Sequence, residues 1–89
     1  MTTQPIAFVM DRGGIQVTDQ PGRIDFGRTD HSAISAMTRL VGRGPVSQGA
    51  CGAVTTVTWP NENTLYFSAG DFRGWSSPAG SAGLTCGGA

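Results

Sequence analysis

The chain has no lysine, one histidine, one tyrosine and two cysteines. Each shortage removes a class of function. A structural zinc site needs about four nitrogen or sulfur ligands in a recognisable spacing, which His31, Cys51 and Cys86 cannot supply. No stretch approaches the ~18 apolar residues of a membrane-spanning helix. Residues 1–5 are polar and no apolar h-region follows, so no signal peptide is seen. Export would then require a longer precursor trimmed near residue 1, whereas a native Met1 would favour the cytosol.

Charge is sparse and balanced, with six basic residues, all arginine, against five Asp and one Glu. A nucleic-acid binder normally carries a basic face and a DNA mimic an acidic one, so both are disfavoured. All-arginine usage fits a GC-rich genome, and it makes charged contacts forked and planar.

What the chain has in excess is glycine, 14 of 89 residues. That is about twice the usual share and points to turns and short elements. The length allows one domain. A domain this short buries only roughly 60–65% of its unfolded surface, so its core is thin. The apolar residues still fall in clear runs, which argues against wholesale disorder.

Residues 5–10 (PIAFVM) read as a strand, broken by Asp11-Arg12-Gly13-Gly14. Ile15 and Val17 alternate with polar neighbours as a second strand, and Asp19-Gln20-Pro21-Gly22 is a turn. Ile24 and Phe26 share one face of a third. Thr29 or Asp30 can cap a helix. Ala33, Ile34, Met37, Leu40 and Val41 then fall on a helical stripe. Gly42 and Gly44 suit a left-handed cap and Pro45 forbids continuation, which predicts one helix over residues 30–42.

Residues 46–53 read as a loop carrying Cys51. Residues 54–59 are rich in β-branched types and form the clearest strand. Residues 64–68 place Leu65 and Phe67 inward and Tyr66 outward. Ala69-Gly70 makes a tight hairpin into a strand over 71–75. The three strands make an antiparallel meander whose apolar face can cover the helix. Residues 76–89 are nearly all Ser, Gly, Ala and Pro and read as an irregular tail after a domain of residues 1–75.

The two cysteines leave a disulfide or two free thiols. A bridge would close a loop of about 35 residues, worth ~4 kcal/mol in the chain-entropy model. A tail whose sole core residue is Leu84 gains order from such a staple, which favours a Cys51–Cys86 bridge.

Ile24-Asp25-Phe26-Gly27 leads into a helix with Ala33, Ala36 and Leu40. A Gly-Pro step, Cys51-Gly52, a strand ending in Trp59, Thr64-Leu65-Tyr66-Phe67 and Gly70-Asp71-Phe72-Arg73-Gly74-Trp75 follow. This layout resembles small bacterial envelope proteins with the helix-plus-sheet unit of SmpA/OmlA lipoproteins and β-lactamase inhibitor proteins. The resemblance covers roughly residues 22–76. It lacks the lipobox cysteine and holds one copy of a unit that the inhibitors carry twice. It implies an α+β fold in the cell envelope and a protein-binding, inhibitor-like role.

Catalytic candidates are few. Asp30-His31-Ser32 holds the residue types of a hydrolase triad, but adjacent positions at a helix start point to different sides. Asp25, Asp30 and Asp71 as an acid–base pair would need a pocket that is hard to build in 89 residues. His31 with Met1, Met10 and Met37 lacks the spacing of a copper(I) site. Gly13-Gly14 and residues 42–44 lack the GK[ST] of a phosphate loop. Neither cysteine sits at a helix start, as a reactive thiol would. Tyr66, Arg73 and Trp75 are the candidate partner-binding residues, since Tyr, Trp and Arg dominate interaction hot spots. Trp59 and Trp75 are also expected to close the ends of the core.

The expectation is therefore an α+β domain with an antiparallel sheet of four to six strands on one helix and a disulfide-pinned tail. Its expected role is a non-catalytic, cofactor-free binding module of the bacterial envelope or exterior, with a protein partner. The alternative is a phage- or mobile-element-encoded cytosolic inhibitor of a defence enzyme.

Overall fold

The computed structural model describes residues 8–18 and 22–86. These residues form one helix, α1 (Asp30–Val41), and eight strands. Strands β1 (Phe8–Asp11), β2 (Gly14–Val17) and β3 (Arg23–Asp25) form one sheet. Strands β4 (Ser47–Cys51), β5 (Val54–Thr58), β6 (Thr64–Ser68), β7 (Asp71–Ser77) and β8 (Gly80–Gly83) form the other. Every pairing is antiparallel and spatial order follows chain order, so both sheets are meanders. The fold is α+β, as expected, with its strands divided between two sheets. Positions 5–7, the turn at 19–21 and residues 87–89 lie outside the described residues.

The helix begins where its side chains can serve the free backbone donors. Thr29 is the N-cap, its Oγ1 accepting from the Ser32 amide at 3.3 Å. At the other end Gly42 adopts φ 83°, and its N–H closes on the Thr38 carbonyl. Ala33, Met37, Leu40 and Val41 form the buried stripe. These meet Ile15, Val17 and Ile24 of the small sheet and Val57, Leu65, Phe67, Phe72 and Trp75 of the large one, all in a single core. Trp59 joins them, fully buried, with its indole N–H donating to Thr38 Oγ1 at 3.2 Å. Among the described residues no helix is long and apolar enough to cross a membrane.

Two strands lie where loop was expected. β4 occupies residues 47–51 and β8 residues 80–83, within the Gly/Ser/Ala-rich stretch, while β7 runs on to Ser77. Both are edge strands, mostly exposed, and neither has an alternating apolar pattern. Their neighbours' backbone ladders impose extended structure that their side chains do not signal.

Strand β7 ties the molecule together. Phe72 and Trp75 both face the core, although regular alternation would turn residues three apart to opposite faces. A register shift between Tyr66 and Phe67 resolves this. Phe67 pairs with Phe72 and Tyr66 with Gly74, leaving Arg73 as the extra residue of a bulge. Trp75 then donates its indole N–H to the Asp11 carbonyl of the small sheet at 2.6 Å. Phe72 binds the other side of the junction: its carbonyl accepts from the Gly27 amide and its amide donates to the Arg28 carbonyl, each at 2.7 Å. Phe26 and Phe72 stack edge to face with centroids 5.0 Å apart. The junction residues 27–29 thus cover the start of β7, and β8 pairs along its later part.

The β6–β7 hairpin turns on Ala69 (φ 53°) and Gly70 (φ 84°), both left-handed. Such two-residue turns match the twist of the flanking strands, but a left-handed alanine costs about 1–2 kcal/mol. Asparagine tolerates this region better. Ala69→Asn is therefore expected to stabilise the domain by about 1 kcal/mol, a rise in Tm of about 4–8 °C. A thermal melt showing no gain would refute the turn conformation.

Candidate functional site

In an antiparallel ladder, directly opposed residues share a face. Tyr66 stands opposite Thr56 on one side and Gly74 on the other, and Ser68 opposite Val54, which is itself opposite Cys51. The face of the large sheet turned away from the helix therefore carries Tyr66, Thr56, Thr58, Thr64, Ser68 and Ser76, with Val54 and Cys51 at one end. It is a field of hydroxyls around one aromatic ring. Two hydrogen bonds organise it. Tyr66 Oη and Ser76 Oγ are 2.9 Å apart, and so are Thr58 Oγ1 and Thr64 Oγ1. Such pairs hold the side chains in fixed rotamers across neighbouring strands.

The disulfide acts on this same face. Cys51 and Cys86 are bonded with Cα atoms 5.8 Å apart. Cys51 ends one edge strand, β4, while Cys86 follows the opposite edge strand, β8. Residues 84–86 therefore run back over the sheet to reach it. Gly74 marks their path, because a Cβ there would collide with the Leu84 backbone. The Leu84 amide is also anchored, donating to the Arg73 carbonyl at 3.0 Å. The expected bridge thus becomes a strap that covers one end of the hydroxyl face. Tyr66 Oη reaches the other way, toward Ser76.

The three residues expected to contact a partner separate here. Tyr66 is half-buried on the hydroxyl face. Arg73 sits in the bulge with its side chain 52% exposed, and its nearest acidic partner is Asp71 Oδ2 at 3.5 Å. Trp75 is 7% exposed, and its indole N–H is taken by the Asp11 carbonyl, so it lies in the core as the sequence also suggested. The bulge is the reason, since it turns Trp75 to the core and leaves Tyr66 and Arg73 outside. The hydroxyl ladder around Tyr66 escaped the sequence reading. The spacing by two of Thr56 and Thr58, and of Thr64, Tyr66 and Ser68, was the available signal.

Several of the residues weighed for catalysis make local contacts. Asp30 Oδ1 accepts from the His31 amide at 2.6 Å, within the capping turn. Asp25 Oδ1 accepts from Arg23 Nε at 2.7 Å. Arg23 also forks onto Asp11, Nη1 to Oδ2 at 2.9 Å and Nη2 to Oδ1 at 3.0 Å, and reaches Gln16 Oε1 at 3.1 Å. The fork from Arg23, helped by the Gly13 amide, lowers the Asp11 carboxyl to about 2. Among the described residues no group of three or more His, Cys, Asp or Glu could hold a metal ion.

Compared with known proteins, the chain matches no family model, no curated protein and no solved structure.

Two outcomes follow from this geometry. Breaking the strap with Cys86→Ser should cost up to about 4 kcal/mol in denaturant unfolding. It should also expose the Leu84 amide to hydrogen exchange, and an unchanged exchange rate would refute the strap. The second concerns acid. The folded-state pKa of Asp11 lies below its unfolded value of ~3.9, so its contribution is full above that value and lost as pH falls through about 2. The Tm deficit of Asp11→Asn should be largest at pH 5–7 and shrink toward zero near pH 2. A deficit independent of pH would contradict the Arg23 fork.

Proposed function

We propose that this chain is a non-catalytic protein-binding module that works in the bacterial envelope or outside the cell. The observation that carries the reading is the composition of the sheet face opposite the helix. A single tyrosine stands among serines and threonines there, with an exposed arginine in the adjacent bulge. Tyrosine offers a large rigid contact at low entropy cost, and serine offers adaptable hydrogen bonding. Arginine adds a forked donor at the rim. The opposite face of the sheet is committed to the core, and the part of this face that the strap leaves uncovered is the surface that meets a partner.

The compartment is supported by the disulfide, because such bonds persist in oxidising surroundings. It is also supported by the resemblance of residues 22–76 to envelope and inhibitor-like units. The balanced charge favours a protein partner over nucleic acid.

The test has two arms. The protein isolated from its source without reductant should have a mass two hydrogens lighter than its free-thiol form. Two free thiols would overturn the extracytosolic assignment and promote the cytosolic inhibitor. Partners captured by the wild type should be lost when Tyr66→Ala and Arg73→Ala are combined, with folding checked by circular dichroism. Retention of every partner by a folded double variant would sink the binding-face assignment.

A further inference from the structure

A concave site lies elsewhere on the molecule, where the small sheet meets the helix. A cavity of about 210 Å³ is lined by Val17, Ile24, Ala36, Leu40 and three arginines, Arg23, Arg28 and Arg39. At about 30 Å³ per water it has room for roughly seven waters. It falls below the ~300–1,000 Å³ of sites for drug-sized ligands. A nucleotide would not fit, whereas a compact group would.

The arginines are not equivalent. Arg23 is already committed to Asp11, Asp25 and Gln16. Arg28 and Arg39 have no side-chain hydrogen bond or ion pair among the described residues. Both are exposed, and they come from different elements, the junction before α1 and the last turn of α1. Unpaired arginines on a flat surface need no explanation, since they keep a protein soluble. Two that line one concavity above an apolar floor of Val17, Ile24 and Leu40 form a bipartite site. The guanidinium groups match a carboxylate in geometry, and the floor matches a short hydrocarbon.

We propose that the cleft between β3 and α1 binds a small organic anion, a carboxylate carrying a short apolar chain. Arg28 and Arg39 hold its head, and Val17, Ile24 and Leu40 hold its body. Arg23 is a positioning residue. Its fork onto Asp11 reaches across β2 from β3 to β1, and with the tie to Asp25 within β3 it keeps the Arg23 charge away from the ligand head. The site is independent of the hydroxyl face of the large sheet, so either can fail without the other.

The test is an amide chemical-shift titration of the full chain with three probes, hexanoate, 1-hexanol and inorganic phosphate. Hexanoate should move the amides of Ile24, Arg28, Ala36 and Leu40 in a saturable way. Hexanol lacks the charge and phosphate lacks the chain, so each should bind at least about tenfold more weakly. Arg28→Gln and Arg39→Gln should each weaken hexanoate binding, and the double variant by about tenfold or more. Both side chains are unpaired, so the variants should fold, and their spectra away from the cleft report whether they do. Hexanol binding as tightly as hexanoate would overturn the anion site. Phosphate binding as tightly would overturn the apolar half. Hexanoate shifts scattered outside the cleft, or unchanged in the double variant, would overturn the proposal as a whole.

Discussion

One extra residue in one strand decides how this molecule holds together. Phe72 and Trp75 stand three positions apart, and in a regular strand only one of them could reach the core. The bulge at Arg73 lets both do so. With both inside, β7 is bonded to the small sheet through the Trp75 indole to Asp11, and to the junction that follows that sheet through the Phe72 backbone to residues 27 and 28. Three strands with one apolar face are about the smallest sheet that can be stable by itself. Its stability here comes from sharing a core, and the sharing runs through β7.

The disulfide works on the same strand from the other side. The path from β8 to Cys51 must cross the sheet, and it crosses at Gly74, the residue opposite Tyr66. A side chain at 74 would block the crossing. One residue pair in the β6–β7 ladder therefore sets both the aromatic centre of the outer face and the opening through which the strap passes. In a domain with so thin a core, a covalent link between opposite edge strands is a large fraction of total stability.

Charge is divided by a similar economy. The forked contacts of Arg23 saturate one guanidinium with two carboxylates and a side-chain amide. Arg73 has a long contact to Asp71, and among the described residues Arg28 and Arg39, like Arg12 and Arg43, have no side-chain hydrogen bond or ion pair. Arg73 in its bulge and Arg28 and Arg39 at the cleft mark two surfaces with different chemistry.

The residues alone were enough for the helix, its threonine or aspartate cap, its glycine stop, and the meander of β5, β6 and β7. These follow from local rules: capping oxygens, a 3.6-residue stripe, and β-branched alternation. The Cys51–Cys86 bridge was also readable, because only two cysteines were present and the tail had little else to order it. What the chain could not announce was everything set by a neighbour. β4 and β8 have no pattern of their own and are extended because adjacent ladders make them so. Trp75 was expected both to close the core and to meet a partner, and its place in the core is decided by a bulge, a property of two strands in register. The cleft joins Arg28 and Arg39 across a turn and a helix, and only packing brings them to one concavity. Local periodicity is written residue by residue, whereas register, crossing and convergence are relations between distant segments and exist only once the core has formed.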